Sequence, residues 1–421
     1  MRRRRSSTVQ SRRCTGKAAF ADPTLFQIVG GVPRGAPRCR SVLCRLPLRA
    51  DIFPANVWKL LSVLRMTREE PTMKERIHFK ALRTCAAAAL AAMTVAGAAT
   101  AAKADAVADY YQGRNLSVII SFAPGGGYDT YARTVVQHMA DHIPGKPTMV
   151  LQHMPGGGGV KAANYFDQVA PKDGSVIGMI ADSIGVALRL KPEGAKFDPA
   201  KWEYIGRAVT APTVLLVHKN APATTLDALR SKEIVIGSTG LGSMSFIGPK
   251  LFKEMLGLQL KIVSGYPGTN AILLAIEKNE VHSVNFSWTS IKAVRSQWLA
   301  DGTLIPLVEF ALEHSDDLKQ IPLAETLAKD EDTKKAMAFV SHYAGIGRSF
   351  VAPPGFPADR LAALRKAFDD TMKDPAFLAD AKKRKMVIAP ATGQQVNKIM
   401  RDAMATPASV IEKAKAAIAK K

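Results

Sequence analysis

Two glycine-rich stretches supply the residue types from which a chain can build an anion-binding site. The first runs Phe122-Ala-Pro-Gly-Gly-Gly-Tyr-Asp129, and the second runs Met154-Pro-Gly-Gly-Gly-Gly159. Consecutive glycines let the backbone turn tightly and bring its N–H groups close to a guest. Where such a loop leads into a helix, the partial positive charge of the helix N-terminus favours an anion such as a carboxylate.

Each glycine loop is predicted to connect a strand to a helix. Leu116–Phe122 is an apolar run of strand length, and Thr130–Ile143 carries apolar residues at helical spacing. Thr148–His153 and Val160–Ala170 repeat that order around the second loop. Ligands of open α/β sheets bind where strands end and helices begin, so the two loops are expected to form two walls of one cleft.

Polar residues are expected at the same edge of the sheet. A third strand, Ser175–Ala181, ends at Asp182 and Ser183, which can cap the following helix or contact a ligand; both interpretations stay open. Asp129 is predicted to be the N-cap of the helix after the first loop. It is also spaced to form an ion pair with Arg133 four residues later.

Strand–helix alternation continues along the chain and predicts an α/β protein of two domains. Linker-like segments around Pro212 and the return strand Gly345–Val351 mark two crossings between the domains. We expect lobe 1 to comprise residues 105–212 and 343–421, and lobe 2 to comprise residues 213–342. Three helices late in the chain, predicted at Ala358–Lys373, Pro375–Lys385 and Gln394–Ala417, are expected to cover lobe 1.

The motif Pro124-Gly-Gly-x-x-Asp-x-x-Ala-Arg133 resembles the first signature of the periplasmic receptors of tripartite tricarboxylate transporters, the Bug-type receptors. Met154–Gly158 is similar to that family's second loop, with Gln152 near its usual Asn and Gly157 near its usual Ala. Ser238–Ser243 and Tyr266-x-Gly268 resemble further family loops. The resemblance extends from about Tyr110 to the end of the sequence.

Two positions depart from the family pattern. The sequence has Asn270-Ala-Ile where the family often has Pro-Ala-Leu, and His282 where it often has Asp. Direct ligand contacts from lobe 2 are therefore less strongly implied than those from lobe 1.

The resemblance implies a two-lobed fold of the second periplasmic-binding-protein type, with hinge crossings. It also implies a monomeric receptor that captures a small carboxylate and delivers it to the permease subunits of a membrane transporter. No cofactor, metal or catalytic residue is expected, and water-bridged ligand contacts are implied. The expected ligand-binding residues are Phe122, Pro124, Gly125, Gly126, Gly127, Asp129, Pro155, Gly156, Gly157, Gly158, Asp182, Ser183, Ser238, Thr239, Ser243, Thr269 and Asn270.

Composition and charge place most of the basic excess outside the folded part. The formal net charge is +22, and residues 1–72 hold 15 Lys and Arg against 4 Asp and Glu. This segment is interpreted as a non-native or disordered basic extension, with Met73 as the candidate start. Residues after 104 hold 38 Lys and Arg against 31 Asp and Glu, so no nucleic-acid partner is expected.

Residues 73–104 are typical of a secretory signal peptide. A basic segment is followed by the alanine-rich run Cys85–Ala99 and by a small-residue cleavage site, Ala102-Lys-Ala104. We therefore expect a soluble periplasmic product that begins at Asp105. All four cysteines precede that residue, so the mature chain offers no disulfide framework and no cysteine nucleophile.

Two other interpretations remain. Gly157-x-Gly159-x-x-Ala162 matches the dinucleotide fingerprint, and Asp182 ends the next strand, as in an NAD(P)-dependent oxidoreductase. The match lies on the second strand–helix unit rather than the first, and an export signal precedes it, so a receptor is favoured. A receptor that feeds a sensor kinase rather than a permease is the third interpretation.

Overall fold

The computed structural model describes residues 106–191 and 193–420. The predicted signal peptide at 73–104 and the basic extension at 1–72 lie outside these residues. A helical segment over 106–111 precedes the first strand. Within the described ranges, no helix is both long and apolar enough to cross a membrane.

The regular elements follow one another in strand–helix order. The first are β1 (Asn115–Ile120), α1 (Gly127–Met139), β2 (Thr148–His153), α2 (Val160–Gln168), β3 (Val176–Met179), α3 (Ile184–Leu190) and β4 (Glu203–Arg207). Next are β5 (Thr213–His218), β6 (Ile234–Ser238), α4 (Met244–Leu256), β7 (Leu260–Ser264), α5 (Thr269–Glu277), β8 (Ser283–Ser287), α6 (Trp288–Ala300) and β9 (Leu304–Phe310). The last are α7 (Glu331–Ser341), β10 (Ser349–Ala352), α8 (Ala358–Thr371), α9 (Pro375–Lys383), β11 (Ala391–Thr392), α10 (Gly393–Ala405) and α11 (Ala408–Ala419).

The first sheet has the strand order β2-β1-β3-β10-β4-β11. Strand β1 runs parallel to β2 and β3, and Ile120 lies opposite both His153 and Met179. The three strands therefore end at one edge of the sheet, where both glycine loops begin. Strand β10 runs antiparallel to β3 and β4 because the chain re-enters this sheet from the other lobe.

The second sheet has the order β7-β6-β8-β5-β9 and repeats this arrangement. Strand β6 is parallel to β7 and β8, while β5, which arrives from the first sheet, is antiparallel to β8 and β9. Both sheets are therefore mixed rather than fully parallel. The architecture is the two-lobed α/β fold predicted from the sequence.

The two chain crossings between the sheets run side by side. The N–H of Ala208 donates to the carbonyl of Arg348 at 2.9 Å, and the N–H of Arg348 donates to Val209 at 2.9 Å. The N–H of Ala211 donates to Ala344 at 3.0 Å. These backbone bonds join the outgoing and returning segments into one hinge.

The late helices do not all cover the first sheet. The predicted helix Gln394–Ala417 is two helices, because Pro407 cannot continue the helix and disfavours helical geometry in the residue before it. Helix α11 packs mainly on α7, and to a smaller and similar extent on α4 of the second lobe and α3 of the first. Its Ile411 and Ile418 join the apolar core that contains residues of the second sheet. We propose lobes of 105–212 with 343–421 and of 213–342, with α11 lying across onto the second.

Candidate functional site

A small cavity lies between the two sheets, at the edge where the parallel strands end. Its volume is about 40 Å³, which is room for about three waters. A larger guest can therefore enter only if the lobes separate. The cavity is lined by Phe122, Tyr128, Asp182, Ser183, Thr213, Thr239, Ser243, Met244, Ser245, Thr269, Asn285, Phe286, Ser287 and Arg348.

Three helices from the two lobes begin at or beside this cavity, and Tyr128, Met244 and Thr269 of their first turns line it. Helix α1 begins at Gly127, α4 at Met244 and α5 at Thr269, and none of the three has a side chain that caps its first turn. Each N-terminus carries about half a positive charge and unpaired N–H groups. Because α1 comes from one lobe and α4 and α5 from the other, lobe closure would concentrate positive potential around one guest.

The first glycine loop sits in the contact between the lobes. Gly126 is buried opposite the backbone of Thr269 and Asn270, and a Cβ on Gly127 would lie only 2.2 Å from the hydroxyl of Ser290. The N–H of Ala123 donates to the carbonyl of Pro267 at 3.0 Å. The loop therefore needs glycine for close approach to the second lobe as well as for its turn.

Asp129 is not the N-cap of α1, and that prediction was wrong. Gly126 occupies the cap position, so Asp129 lies in the first turn and its carboxylate reaches back to the N–H of Gly125 at 3.1 Å. The predicted pair with Arg133 is confirmed at 2.8 Å, and His153 lies at the same distance. Asp129 thus ties the first loop to the end of β2.

The ionisation of Asp129 follows from these contacts. Burial raises the pKa of its carboxyl, but the Gly125 N–H, His153 and Arg133 outweigh burial and hold the pKa below its usual value. The carboxylate is therefore charged at neutral pH, and this charge is bound to partners outside the cavity. Its role here is to position the loop.

The second glycine loop closes against the other lobe instead of lining the cavity. Residues 156 to 159 all have positive φ, a region that favours glycine. The carbonyl of Gly157 accepts from the N–H of Gly242 at 3.0 Å, and a Cβ on Gly158 would lie 2.5 Å from the carbonyl of Gly240. The loop face that a dinucleotide pyrophosphate would need is therefore in contact with protein.

A buried ion pair forms the floor of the cavity. Arg348 donates through Nη1 to Asp182 at 2.7 Å, and both side chains are almost fully buried. The guanidinium also lies 4.1 Å above the ring of Tyr128 and donates to the hydroxyl of Ser290 in the second lobe at 3.0 Å. Asp182 is therefore held by a charge partner rather than presented to solvent.

Burial shifts the titration of both partners. It raises the pKa of the Asp182 carboxyl, and the Arg348 guanidinium opposes that shift. Burial lowers the pKa of Arg348, but Tyr128 and Asp182 more than compensate, so the guanidinium stays charged. The pair contributes no net charge, which leaves the helix N-termini as the source of positive potential.

Ser183 reaches across the cleft. It occupies the N-cap position of α3, yet its hydroxyl makes no capping bond and instead donates to the carbonyl of Gly242 at 2.8 Å. The same Gly242 donates its N–H to Gly157. One residue of the second lobe is therefore bound by two residues of the first.

Hydroxyl groups dominate the wall supplied by the second lobe. Those of Thr239, Ser243 and Ser245 lie within 2.7 to 3.1 Å of one another at the start of α4. Asn270 is held by Arg295 at 3.2 Å, and its amide packs against Gly125. Hydroxyls can both donate and accept, so this wall can adapt to polar groups of either kind.

The expected binding residues divide into three groups in the structure. Six line the cavity: Phe122, Asp182, Ser183, Thr239, Ser243 and Thr269. Gly125, Gly126, Gly127 and Asn270 meet at the lobe contact beside it, where Asp129 braces the loop. Pro124 is exposed, Pro155 to Gly158 lie in or beside the second loop contact, and Ser238 accepts from the N–H of Gly240.

Several cavity residues were not predicted from the sequence. Arg348 stands as a single charge in the apolar run Ile346–Val351, and Asn285 is a polar residue inside the strand Ser283–Ser287. A buried polar residue in such a run needs a partner, and that was the available signal. Tyr128 lies inside the first motif itself. Across residues 106–191 and 193–420, no group of three or more His, Cys, Asp or Glu side chains could hold a metal.

Comparison with known sequences identifies a family for this chain. The family model described as "Tripartite tricarboxylate transporter family receptor" matches residues 131–416. A UPF0065 protein of Bordetella pertussis is 27% identical over 288 residues, which cover 66% of this chain and 82% of that protein.

Solved structures support the same fold. The periplasmic binding protein BugD superposes with a TM-score of 0.58 at 20% identity, over 72% of this chain and 98% of that one. A Rhodopseudomonas palustris protein with bound malate, MatC, gives 0.56 at 19% identity, over 73% and 99% of the two chains. An R. palustris protein with adipate also gives 0.56, at 20% identity over 72% and 97%. The chain therefore belongs to the receptor family of tripartite tricarboxylate transporters.

Proposed function

We propose that this chain is an extracytoplasmic receptor that captures a small carboxylate between its lobes and delivers it to a tripartite tricarboxylate-type transporter. The observation that carries the proposal is the convergence of the α1, α4 and α5 N-termini on one hydroxyl-lined cavity. Family membership and the malate and adipate of two structural neighbours also support it.

In this proposal backbone groups hold the carboxylate. The N–H groups of Gly126 and Gly127 and those at the starts of α4 and α5 would bind it directly or through water. Thr239, Ser243 and Thr269 would complete the contacts from the second lobe. Pro155 to Gly158 would stabilise the closed arrangement of the lobes rather than contact the ligand, because their loop faces residues 240–243.

The proposal has no catalytic step. Receptors of this family are solute-binding proteins rather than enzymes, and the charged residues of the cavity, Arg348 and Asp182, are bound to each other. We propose that the protein acts as a monomer and that residues 73–104 direct it to the periplasm. N-terminal sequencing of periplasmic protein should then give a chain that starts at Asp105; a start upstream of residue 73 would contradict this.

The first experiment is a thermal-unfolding screen of the purified protein against carboxylates, with NAD and NADP included. A ligand that binds only the folded state raises the midpoint as its concentration exceeds Kd. We expect a shift with one class of carboxylate and none with the nucleotides. A shift with NAD alone would overturn the receptor proposal in favour of an oxidoreductase.

Delivery to a permease needs a separate test. Uptake of the labelled carboxylate is measured in cells that have the receptor gene and in cells that lack it. We expect uptake to fall to background without the receptor and to return when the gene is restored. Unchanged uptake with altered transcription would support a sensor partner instead.

A further inference from the structure

Asn285 is a buried amide on the cavity wall that the carboxylate contacts do not use. It lies in the middle of β8 with 2% of its surface exposed, and it lines the same cavity as Asp182 and Arg348. A buried polar side chain is costly unless its atoms find partners. The partners of Asn285 therefore indicate what this part of the cavity is built to hold.

The orientation of the Asn285 amide is fixed by its neighbours. Its Nδ2 donates to the carbonyl of Met244 at 2.7 Å and to Oγ1 of Thr213 at 3.1 Å. A carbonyl oxygen can only accept, so the amide nitrogen must face Met244 and the amide oxygen cannot. The second donor contact holds the amide plane in place.

This orientation leaves the amide oxygen as an unused acceptor. No group of the described residues donates to Oδ1 of Asn285, although the atom is buried. Oγ1 of Thr213 accepts from both Asn285 and the hydroxyl of Tyr343, at 2.7 Å for the latter, so its own proton is directed at neither. An acceptor and an available hydroxyl proton therefore lie side by side on one wall.

Charge in this part of the cavity is already balanced. Among the described lining residues the charged ones are Arg348 and Asp182, and they are paired at 2.7 Å. A second carboxylate would meet no unpaired cation there and would face the oxygen of Asn285. A neutral group that donates to Asn285 and accepts from Thr213 fits better, and a hydroxyl does both.

We propose that Asn285 selects a hydroxycarboxylate, with its Oδ1 accepting a hydrogen bond from the hydroxyl of the ligand. An ammonium group could donate to Asn285 but could not accept from Thr213. A ligand without a donor would leave the buried acceptor unsatisfied. This inference rests on the proposed carboxylate receptor and deepens it by naming the ligand class.

Titration calorimetry with matched acids, on the protein purified from the periplasm, tests this assignment. The sets are succinate, malate and aspartate, and propionate, lactate and alanine, in which one hydrogen becomes a hydroxyl or an amino group. In at least one set the hydroxy acid is expected to bind about tenfold or more tightly than the unsubstituted acid. This comparison uses the unaltered protein and does not depend on any variant folding.

Two variants then assign the preference to a residue. Asn285→Leu removes the acceptor and is expected to reduce the ratio of the two affinities to about one. Asn397→Leu is the matched control: Asn397 is also a buried amide, but it is bonded to Glu203 and the N–H of Tyr204 in the first lobe, and it does not line the cavity. The Asn397→Leu variant should be less stable, but its ratio of affinities for the hydroxy acid and the unsubstituted acid should not change.

Each outcome is decisive. If the unsubstituted acid or the amino acid of a set binds as tightly as the hydroxy acid, the role proposed for Asn285 is refuted. The proposal of a carboxylate receptor is not affected by that result. The same conclusion follows if Asn285→Leu folds and keeps the preference. If no acid of the two sets or of the wider carboxylate panel binds, the receptor proposal falls and this inference with it.

Discussion

Replacing Gly158 by alanine tests whether the lobes must meet backbone to backbone for a ligand to be held. Gly158 has φ of +68°, and a Cβ there would lie 2.5, 2.6 and 2.7 Å from backbone atoms of Gly240, Ser243 and Gly242. Ordinary contact begins near 3.4 Å, so the two loops would have to separate by about 0.9 Å. Backbone atoms on both sides leave no flexible side chain to move aside.

The expected loss of affinity follows from the bonds that span this contact. Separation by that amount would break the bond from Gly242 to Gly157, now 3.0 Å, and the bond from Ser183 to Gly242, now 2.8 Å. Each contributes about 1 kcal/mol, so closure should weaken by about 2 kcal/mol and Kd should rise about 30-fold. Calorimetry with the best carboxylate from the screen measures this change.

A matched control separates closure from backbone strain. Gly113 has φ of +69°, and a Cβ there would meet nothing within 4 Å, so Gly113→Ala carries the same left-handed strain, about 1–2 kcal/mol, without the clash. Both variants should lose similar stability in urea. Only Gly158→Ala should bind more weakly, and equal Kd values for the two variants would refute the closure argument.

Three further predictions concern polar residues of the site. Arg348→Met should lower the free energy of unfolding by about 3–5 kcal/mol because it leaves Asp182 buried without its partner, and adding Asp182→Asn should restore part of that loss in urea titrations. Asp129 has a folded-state pKa below its unfolded value, so its contribution to stability is present above about pH 4 and disappears as pH falls through the folded pKa. The stability gap between wild type and Asp129→Asn should therefore shrink on acidification, and a constant gap from about pH 7 to about pH 2 would contradict this. Ser183→Ala should raise Kd about fivefold by calorimetry, because it removes the hydroxyl that donates to Gly242; an unchanged Kd would show that this bond does not support closure.

Local signals were enough to predict the parts of the site that lie within one strand–loop–helix unit. The glycine loops, the strand before each and the ion pair between Asp129 and Arg133 depend on residues close in sequence. The prediction that Asp129 is the N-cap was wrong because Gly126 occupies the cap position. A carboxylate in the first turn can also reach back to the loop, as Asp129 does to the N–H of Gly125. Propensity rules do not distinguish these two geometries.

Contacts between distant segments could not be predicted in the same way. Arg348 meets Asp182 from 166 residues away, and it does so only because the return crossing enters the first sheet beside the end of β3. The partners of Asn285 likewise come from β5 and α4. The sequence showed Arg348 as a single charge and Asn285 as a polar residue within strand-like segments, but pairing them with their partners required the strand order.

The packing of α11 on the second lobe has a consequence for the order in which the protein can be made. Residues Ile411 and Ile418 complete a core that includes Leu215, about 200 positions earlier in synthesis. In the first sheet, β10 lies between β3 and β4, so these two strands cannot be joined until β10 has been made. A nascent chain therefore cannot bury either core fully while it is being synthesised. Contacts this distant in sequence form slowly, so each core is completed only after the long segments between its members have been made.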